Sequence, residues 1–361
     1  MKHLFKTMLT LPPLTGATVR GGLGLLALLA GELRGQTGSA PVGVMSYAAA
    51  EHSTISLGVP LLRPAVLTGK VSAVTGANLT LTGPAAGSVL PLVAGESYFL
   101  EVIGHVDGVT TTLVGQRFEV DEAGTLADAG GALSVDTTSP HNTAAASTLA
   151  GLVNYRVSVR PHWTLATLLG TGARAKVNAA VSAASADQVL AWNGVGFSVY
   201  YVRSGEVPQW RNTATGAASQ DGAILPPGVG LFLRRQAGAL AFAVPGEVRT
   251  TAFVRPPFAG SQIIAGGFPV DASPADLKLA ASAGLTAGTA PSNADQLLAW
   301  DATAFSVYYL RAGQVPQWRN VATGLLDYST TAILPARGAS LLLLRAPVAG
   351  AVLPQMAPFS L

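Results

Sequence analysis

One thirty-residue pattern occurs twice in this 361-residue chain, so any fold it adopts must build the same unit two times. Residues 187–216 read DQVLAWNGVGFSVYYVRSGEVPQWRNTATG, and residues 295–324 read DQLLAWDATAFSVYYLRAGQVPQWRNVATG. The two are identical at 21 of 30 positions, without a gap, at a spacing of 108 residues. The likeness continues downstream, where Ile224-Leu225-Pro226 answers Ile333-Leu334-Pro335 and a β-rich run follows each, Gly230–Arg234 and Ser340–Arg345. Upstream, Val159-Arg160-Pro161 answers Val254-Arg255-Pro256 at a shorter spacing, so the linking segment is expected to vary in length.

Each copy is dense in strand signals. Phe197–Val202 is aromatic and β-branched, and Ser204-Gly205 ends it. Gln188–Trp192 is a short apolar run closing on Asn193-Gly194, the preferred centre of a tight hairpin turn, and Val207–Arg211 continues as a third strand. The second copy has Asp301-Ala302 at that turn, which predicts a looser turn or another type. Ala-rich segments, 173–186 and 273–289, precede the copies. Ser273-Pro274 followed by Asp276 reads as a helix start, so one short helix per repeat is expected there.

The N-terminal third is equally strand-like. Gly69–Val74 and Leu79–Thr82 flank the turn at residues 75–78, and Tyr98–His105 and Val109–Val120 flank Asp107-Gly108. Residues 121–150, rich in Gly, Ala, Ser and Thr, read as a long surface loop. The expected class is all-β: a small N-terminal barrel or sandwich over 41–165, then duplicated β modules over 166–258 and 259–361.

Residues 1–35 read as an export signal, a basic start ending at Arg20 followed by the apolar run 21–31 and a polar stretch. That run is shorter than the roughly 20 apolar residues a membrane helix needs. The segment carries Lys2, Lys6, Arg20 and Arg34 against Glu32. The formal charge of +3 lies wholly within it, and the remainder balances at 18 basic and 18 acidic residues. No basic footprint for phosphate contacts then remains, which sets nucleic acid aside as a partner. Charged residues are 11% of the chain, against roughly 25% in ordinary soluble domains. A charge-poor surface suits coverage by copies of the chain or by envelope material. An Ala-rich, Arg-over-Lys coding bias produces the same composition.

The chain has no cysteine, which excludes thiol catalysis, thiolate metal sites and disulfides. Its histidines, His3, His52, His105, His141 and His162, share no metal-ligand spacing, and no cofactor-binding or nucleophile motif occurs. Glu119, Asp121 and Glu122 cluster beside a turn, where solvated carboxylates ordinarily sit. The duplicated residues are the candidates for function. Asp187, Tyr200, Tyr201, Arg203, Trp210 and Arg211 recur as Asp295, Tyr308, Tyr309, Arg311, Trp318 and Arg319. They read in two ways. Aromatic faces beside planar hydrogen-bonding groups suit sugar rings; alternatively, Trp and one Tyr of each pair fill a core while Arg pairs with Asp to fix the strands.

The motif set Gly69-Lys70-Val71 with Leu79-Thr80-Leu81, then Asp187–Trp192, Tyr200-Tyr201, Trp210-Arg211 and Leu225–Gly228, resembles an uncharacterised family of exported bacterial β-rich repeat proteins. Arg337 departs from that pattern, breaking the Leu-Pro-x-Gly turn in the second copy. The resemblance implies export and a repeated β fold, and lends no activity. The function expected from these observations is a non-catalytic structural protein of the cell envelope or extracellular matrix, partnered by copies of itself or by envelope components and needing no cofactor. Polysaccharide binding by the duplicated platforms is the alternative, and requires Trp210 and Trp318 to be exposed. A hydrolase would need carboxylates clustered in a cleft.

Overall fold

The computed structural model describes residues 41–82, 90–109, 111–127, 132–193, 195–216, 218–256, 260–324, 326–344 and 355. The export signal read over 1–35 and Gly194 of the first hairpin turn lie outside them. The fold is all-β with short helices, and it contains a closed barrel and several open sheets.

Two strands come first, β1 (Val42–Ala49) and β2 (Thr54–Gly58). Six then form the barrel: β3 (Leu67–Thr75), β4 (Asn78–Thr82), β5 (Tyr98–His105), β6 (Arg117–Val120), β7 (Leu133–Asp136) and β8 (Tyr155–Pro161). They close in the order β3-β4-β7-β6-β5-β8, every ladder antiparallel. Alternation sends Val71, Leu79, Leu100, Phe118, Leu133 and Val157 inward, all essentially inaccessible. The predicted hairpin at residues 75–78 is present, with Gly76 at φ +61.

Two expectations for this region are corrected. Strand Val109–Val120 is formed only from Arg117. After the turn at Asp107-Gly108 the chain leaves the ladder and rejoins it where the Gly115 N–H donates to Val102 O at 2.8 Å. Gly115 has φ +87 and passes so close to Ala252 that a Cβ there would lie 2.3 Å from its carbonyl oxygen. The stretch 121–150 is not a loop throughout. It supplies helix α1 (Glu122–Ala127) and β7, whose four residues are too few to stand out in a small-residue background.

The first repeat contains β9 (Trp163–Thr164), helix α2 (Leu165–Leu169), β10 (Gln188–Trp192), β11 (Phe197–Arg203), β12 (Gln209–Asn212), β13 (Ile224–Leu225), β14 (Gly230–Arg234) and β15 (Leu240–Glu247). The second contains β16 (Gln262–Ala265), β17 (Gln296–Trp300), β18 (Phe305–Arg311), β19 (Gln317–Asn320) and β20 (Ala339–Leu343). Their sheets run β12-β11-β10-β14-β2 and β19-β18-β17-β20-β16, the same order throughout. The fifth strand of the first sheet, β2, therefore precedes the barrel in the chain, and the barrel is spliced into the first repeat. Strand β1 likewise pairs with β15 of that repeat. Val159–Pro161 lies in barrel strand β8 while Val254–Pro256 lies outside every strand, so that sequence match marks no shared element.

The repeat helix is also displaced from its expected place. In the first copy it is α2, upstream of the Ala-rich segment, capped by Thr164 and Thr167. In the second copy Ser273 and Asp276 make the same reciprocal capping bonds at 2.8 and 3.2 Å around a single turn. Both hairpin loops are held alike, against expectation. Asn193 Oδ1 accepts the amides of Val195 and Gly196, and Asp301 Oδ1 those of Thr303 and Ala304. The side-chain oxygen holds the loop, and Asn and Asp supply it equally. Asp301, pulled down by those amide bonds, has its carboxyl below the usual carboxylate range.

Candidate functional site

Each repeat sheet has two apolar faces. On one face Val189, Val202 and Trp210, or Leu297, Leu310 and Trp318, pack beneath the sheet's own loops. On the other, Leu190, Trp192 and Phe232 meet Leu298, Trp300, Ile263 and Leu341 in a core shared by the two repeats. Residue alternation along β10 and β17 divides the side chains between these faces. Phe232 stands edge-on to both Trp300 and Phe305, at 6.3 and 5.8 Å between centroids. The backbones come close at Gly230, where a Cβ would lie 2.2 Å from that of Ala339. Registers Leu190↔Phe232 and Leu298↔Leu341 make Gly230 and Ala339 equivalent positions. The seam thus joins like to like, as across a two-fold axis.

The duplicated candidates mostly occupy the private cores. Trp210 and Trp318 are 0% and 1% exposed, and their indole N–H groups donate to Gly170 O at 2.8 Å and Leu279 O at 2.7 Å. Their ring faces are therefore closed to a sugar, which removes the stacking platform. Tyr200 and Tyr201 are half-buried, whereas Tyr308 and Tyr309 are both buried, so the second copy covers both members of the pair. Arg203 and Arg311 are exposed, and Arg211 and Arg319 reach only as far as Gln209 and Gln317. Asp187 pairs instead with Arg235, and also accepts the amides of Asn178 and Gln236, each at 2.7 Å. Asp295 accepts the Thr286 amide at 2.7 Å. In the first copy Asp187 fixes the strands through Arg235, not through the duplicated Arg203 or Arg211.

Carboxylates do gather in one cleft of about 530 Å³ beside the barrel, where Glu96, Glu119, Asp121, Glu122 and Asp136 line the wall. Each has local work. Glu96 pairs with Arg63 at 2.5 Å, Glu119 meets the buried His162 Nε2 at 2.7 Å, and Asp121 and Glu122 accept the amides of Gly124 and Gly95. Asp136 accepts from the hydroxyl and amide of Thr138, which hold its carboxyl below the usual range. Among the described residues no group of three or more His, Asp or Glu side chains is arranged to hold a metal ion.

Where the barrel, the first repeat and the chain leading to the second meet, three buried guanidiniums surround one ring. Arg117, Arg249 and Arg255 lie 4.9–5.0 Å from the Phe253 centroid. Arg249 pairs with Glu101, while Arg117 and Arg255 rest on backbone carbonyls of residues 227, 254, 228 and 265. Burial lowers Arg117 to about 10 and Arg249 to about 9; burial and then the nearby Arg117 lower Arg255 to about 9.

Two clefts open along the repeat seam, of about 410 and 370 Å³. The first is lined by Trp192, the Pro226–Gly228 turn and β16 of the other repeat; the second by Trp300, the Pro335–Arg337 turn and β2. They are equivalent places in the duplicated structure. Both turns close with a bond between the residues that answer each other, Val229 N–H to Pro226 O and Gly338 N–H to Pro335 O. Gly228 takes φ +84 in the first, and Arg337 closes the second without a positive φ, so the broken motif still turns. Sequence reading passed over Trp192 and Trp300 as strand ends. The signal for them is their parity, odd with respect to Val189 and Leu297 along the same strands.

No family model matches this chain, and no curated protein or solved structure matches it either.

Proposed function

We propose that this is an exported, non-catalytic structural protein of the cell envelope or extracellular matrix, which works by associating with copies of itself. The observation that carries the reading is the outer face of the β1–β15 ribbon. Val42, Val44, Ser46 and Ala48 alternate outward on β1. Val44, Ser46 and Ala48 lie opposite Pro245, Ala243 and Ala241 on β15, an uncharged strip, and Val42 lies opposite Glu247, whose carboxylate is taken up by Arg160. Val42 and Val44 are 73% and 62% exposed. Exposed strands are ordinarily protected by charges, and an apolar face without them favours burial against another surface. Val207 and Val315, equivalent tips of the two repeats, are also bare at 70% and 72%. Export is supported by the basic start and the apolar run at 21–31, and by the likeness to exported repeat proteins. Among the described residues no helix is long and apolar enough to cross a membrane.

Sedimentation of the full chain tests this. The expected result is concentration-dependent species larger than the 36.6 kDa monomer, weakened by Val44→Asp, which charges the face without entering a core. A monomer at every concentration, or assembly indifferent to Val44→Asp, refutes it.

A further inference from the structure

The two seam clefts are alike in backbone and differ in what they leave unsatisfied. In the second cleft the protein consumes its own polar groups. Trp300 Nε1–H donates to Thr54 O at 2.7 Å, and Arg337 donates to Ser46 O at 3.1 Å. In the first, Trp192 Nε1 is buried and has no hydrogen-bond partner among the described residues. Its wall includes Arg255, whose guanidinium is buried and bonded at 3.2 Å to the carbonyl of Gly228, another wall residue. Arg255 has no carboxylate partner among the described residues, and Arg117 adds a second positive charge nearby. Among the described residues no Asp or Glu lines this cleft. The Arg255 charge is met by the Gly228 and Ala265 carbonyls and the Phe253 ring, none of which neutralises it. Held at about 9, the Arg255 group still carries its charge at neutral pH.

The rest of the wall is mostly apolar, with His141, Ser261 and Gln262 as polar members beside Arg255. Ile224, Leu225, Pro226, Pro227 and Val229 are half-buried and line it together with Tyr200 and Trp192. A volume of about 410 Å³ falls within the roughly 300–1,000 Å³ usual for small-molecule sites. From these features we infer that the first seam cleft binds a small apolar molecule bearing one carboxylate, its ring or chain against the Trp192–proline wall and its anionic group toward Arg255. This is independent of self-association, since the cleft and the β1–β15 ribbon use different residues.

Calorimetric titration of the full chain with 2-naphthoate and with the neutral 2-naphthalenemethanol tests the inference. The expected result is saturable binding of the acid, one per chain, with the alcohol weaker by about tenfold or more. Gln262→Glu, a near-isosteric change at the half-buried cleft wall, adds a carboxylate there and is expected to weaken the acid about tenfold while sparing the alcohol. Ser56→Glu, in the equivalent cleft, is expected to leave both unchanged. Arg255→Gln is the direct variant, and circular dichroism establishes whether it folds; Gln262→Glu decides the matter without disturbing the buried arginines. Absence of saturable acid binding, equal binding of acid and alcohol, or acid binding that survives Gln262→Glu overturns the proposal.

Discussion

Asp187→Asn separates a residue that holds the fold from one that meets a ligand. The carboxylate is 1% exposed and takes three donors, the amides of Asn178 and Gln236 at 2.7 Å and the Arg235 guanidinium. The amide side chain has nearly the same shape, so no cavity opens. Its nitrogen must nevertheless face one of those donors, and its loss of charge leaves Arg235, itself 6% exposed, without a counter-ion. Breaking one side of a buried pair costs about 3–5 kcal/mol. For a folded unit of this size each kcal/mol lowers Tm by roughly 2 °C, so a fall of roughly 6–10 °C is expected in scanning calorimetry. Arg235→Met with Asp187→Leu, removing both partners, is expected to recover much of the loss, because orphaning is the costly part. An unchanged Tm for Asp187→Asn would refute the structural role and return the residue to the list of binding candidates.

Other expectations follow from the same geometry. Gly230→Ala brings a Cβ to 2.2 Å from that of Ala339 and should cost about 1–3 kcal/mol by overpacking, seen as a lower denaturant midpoint; adding Ala339→Gly should restore part of it. Trp318→Phe orphans the buried Leu279 O and should cost about 1–3 kcal/mol in denaturant titration, and Trp210→Phe, which frees the part-buried Gly170 O, should cost less. His141 is pushed below 6.5 by burial, with Glu119 opposing and His162 and Arg117 adding to the fall. The folded state therefore favours its neutral form, and that stability is complete above about 6.5 and lost as pH falls through the folded value. Tm should drop on acidification from pH 7 to 5, and His141→Gln should flatten part of the slope; an identical slope would exclude His141 as a contributor.

What could be read from the residues was what repeats within a single strand. Phe197–Arg203 and Phe305–Arg311 declare themselves by composition, and the 108-residue spacing shows that the unit is doubled. What could not be read was the origin of each sheet's fifth strand. Thr54–Gly58 and Gln262–Ala265 share no pattern, and a barrel separates the former from its sheet, so its place emerges only from the ladder with β14. The candidate site was hidden for a related reason. Identity between the copies selects residues both repeats need, and these are the private-core tryptophans and the strand-fixing aspartates. A binding site created by duplication lies where the copies differ. Trp192 and Trp300 are the same residue in the same strand, yet one indole finds the carbonyl of Thr54 and the other finds none among the described residues. Gly228 stands where the other copy has Arg337, and the Arg255 guanidinium bonded to its carbonyl comes from the linking segment, outside either copy. The asymmetry that would let one seam cleft take a ligand is thus carried by unmatched residues around matched ones, and comparison of the repeats alone discards them.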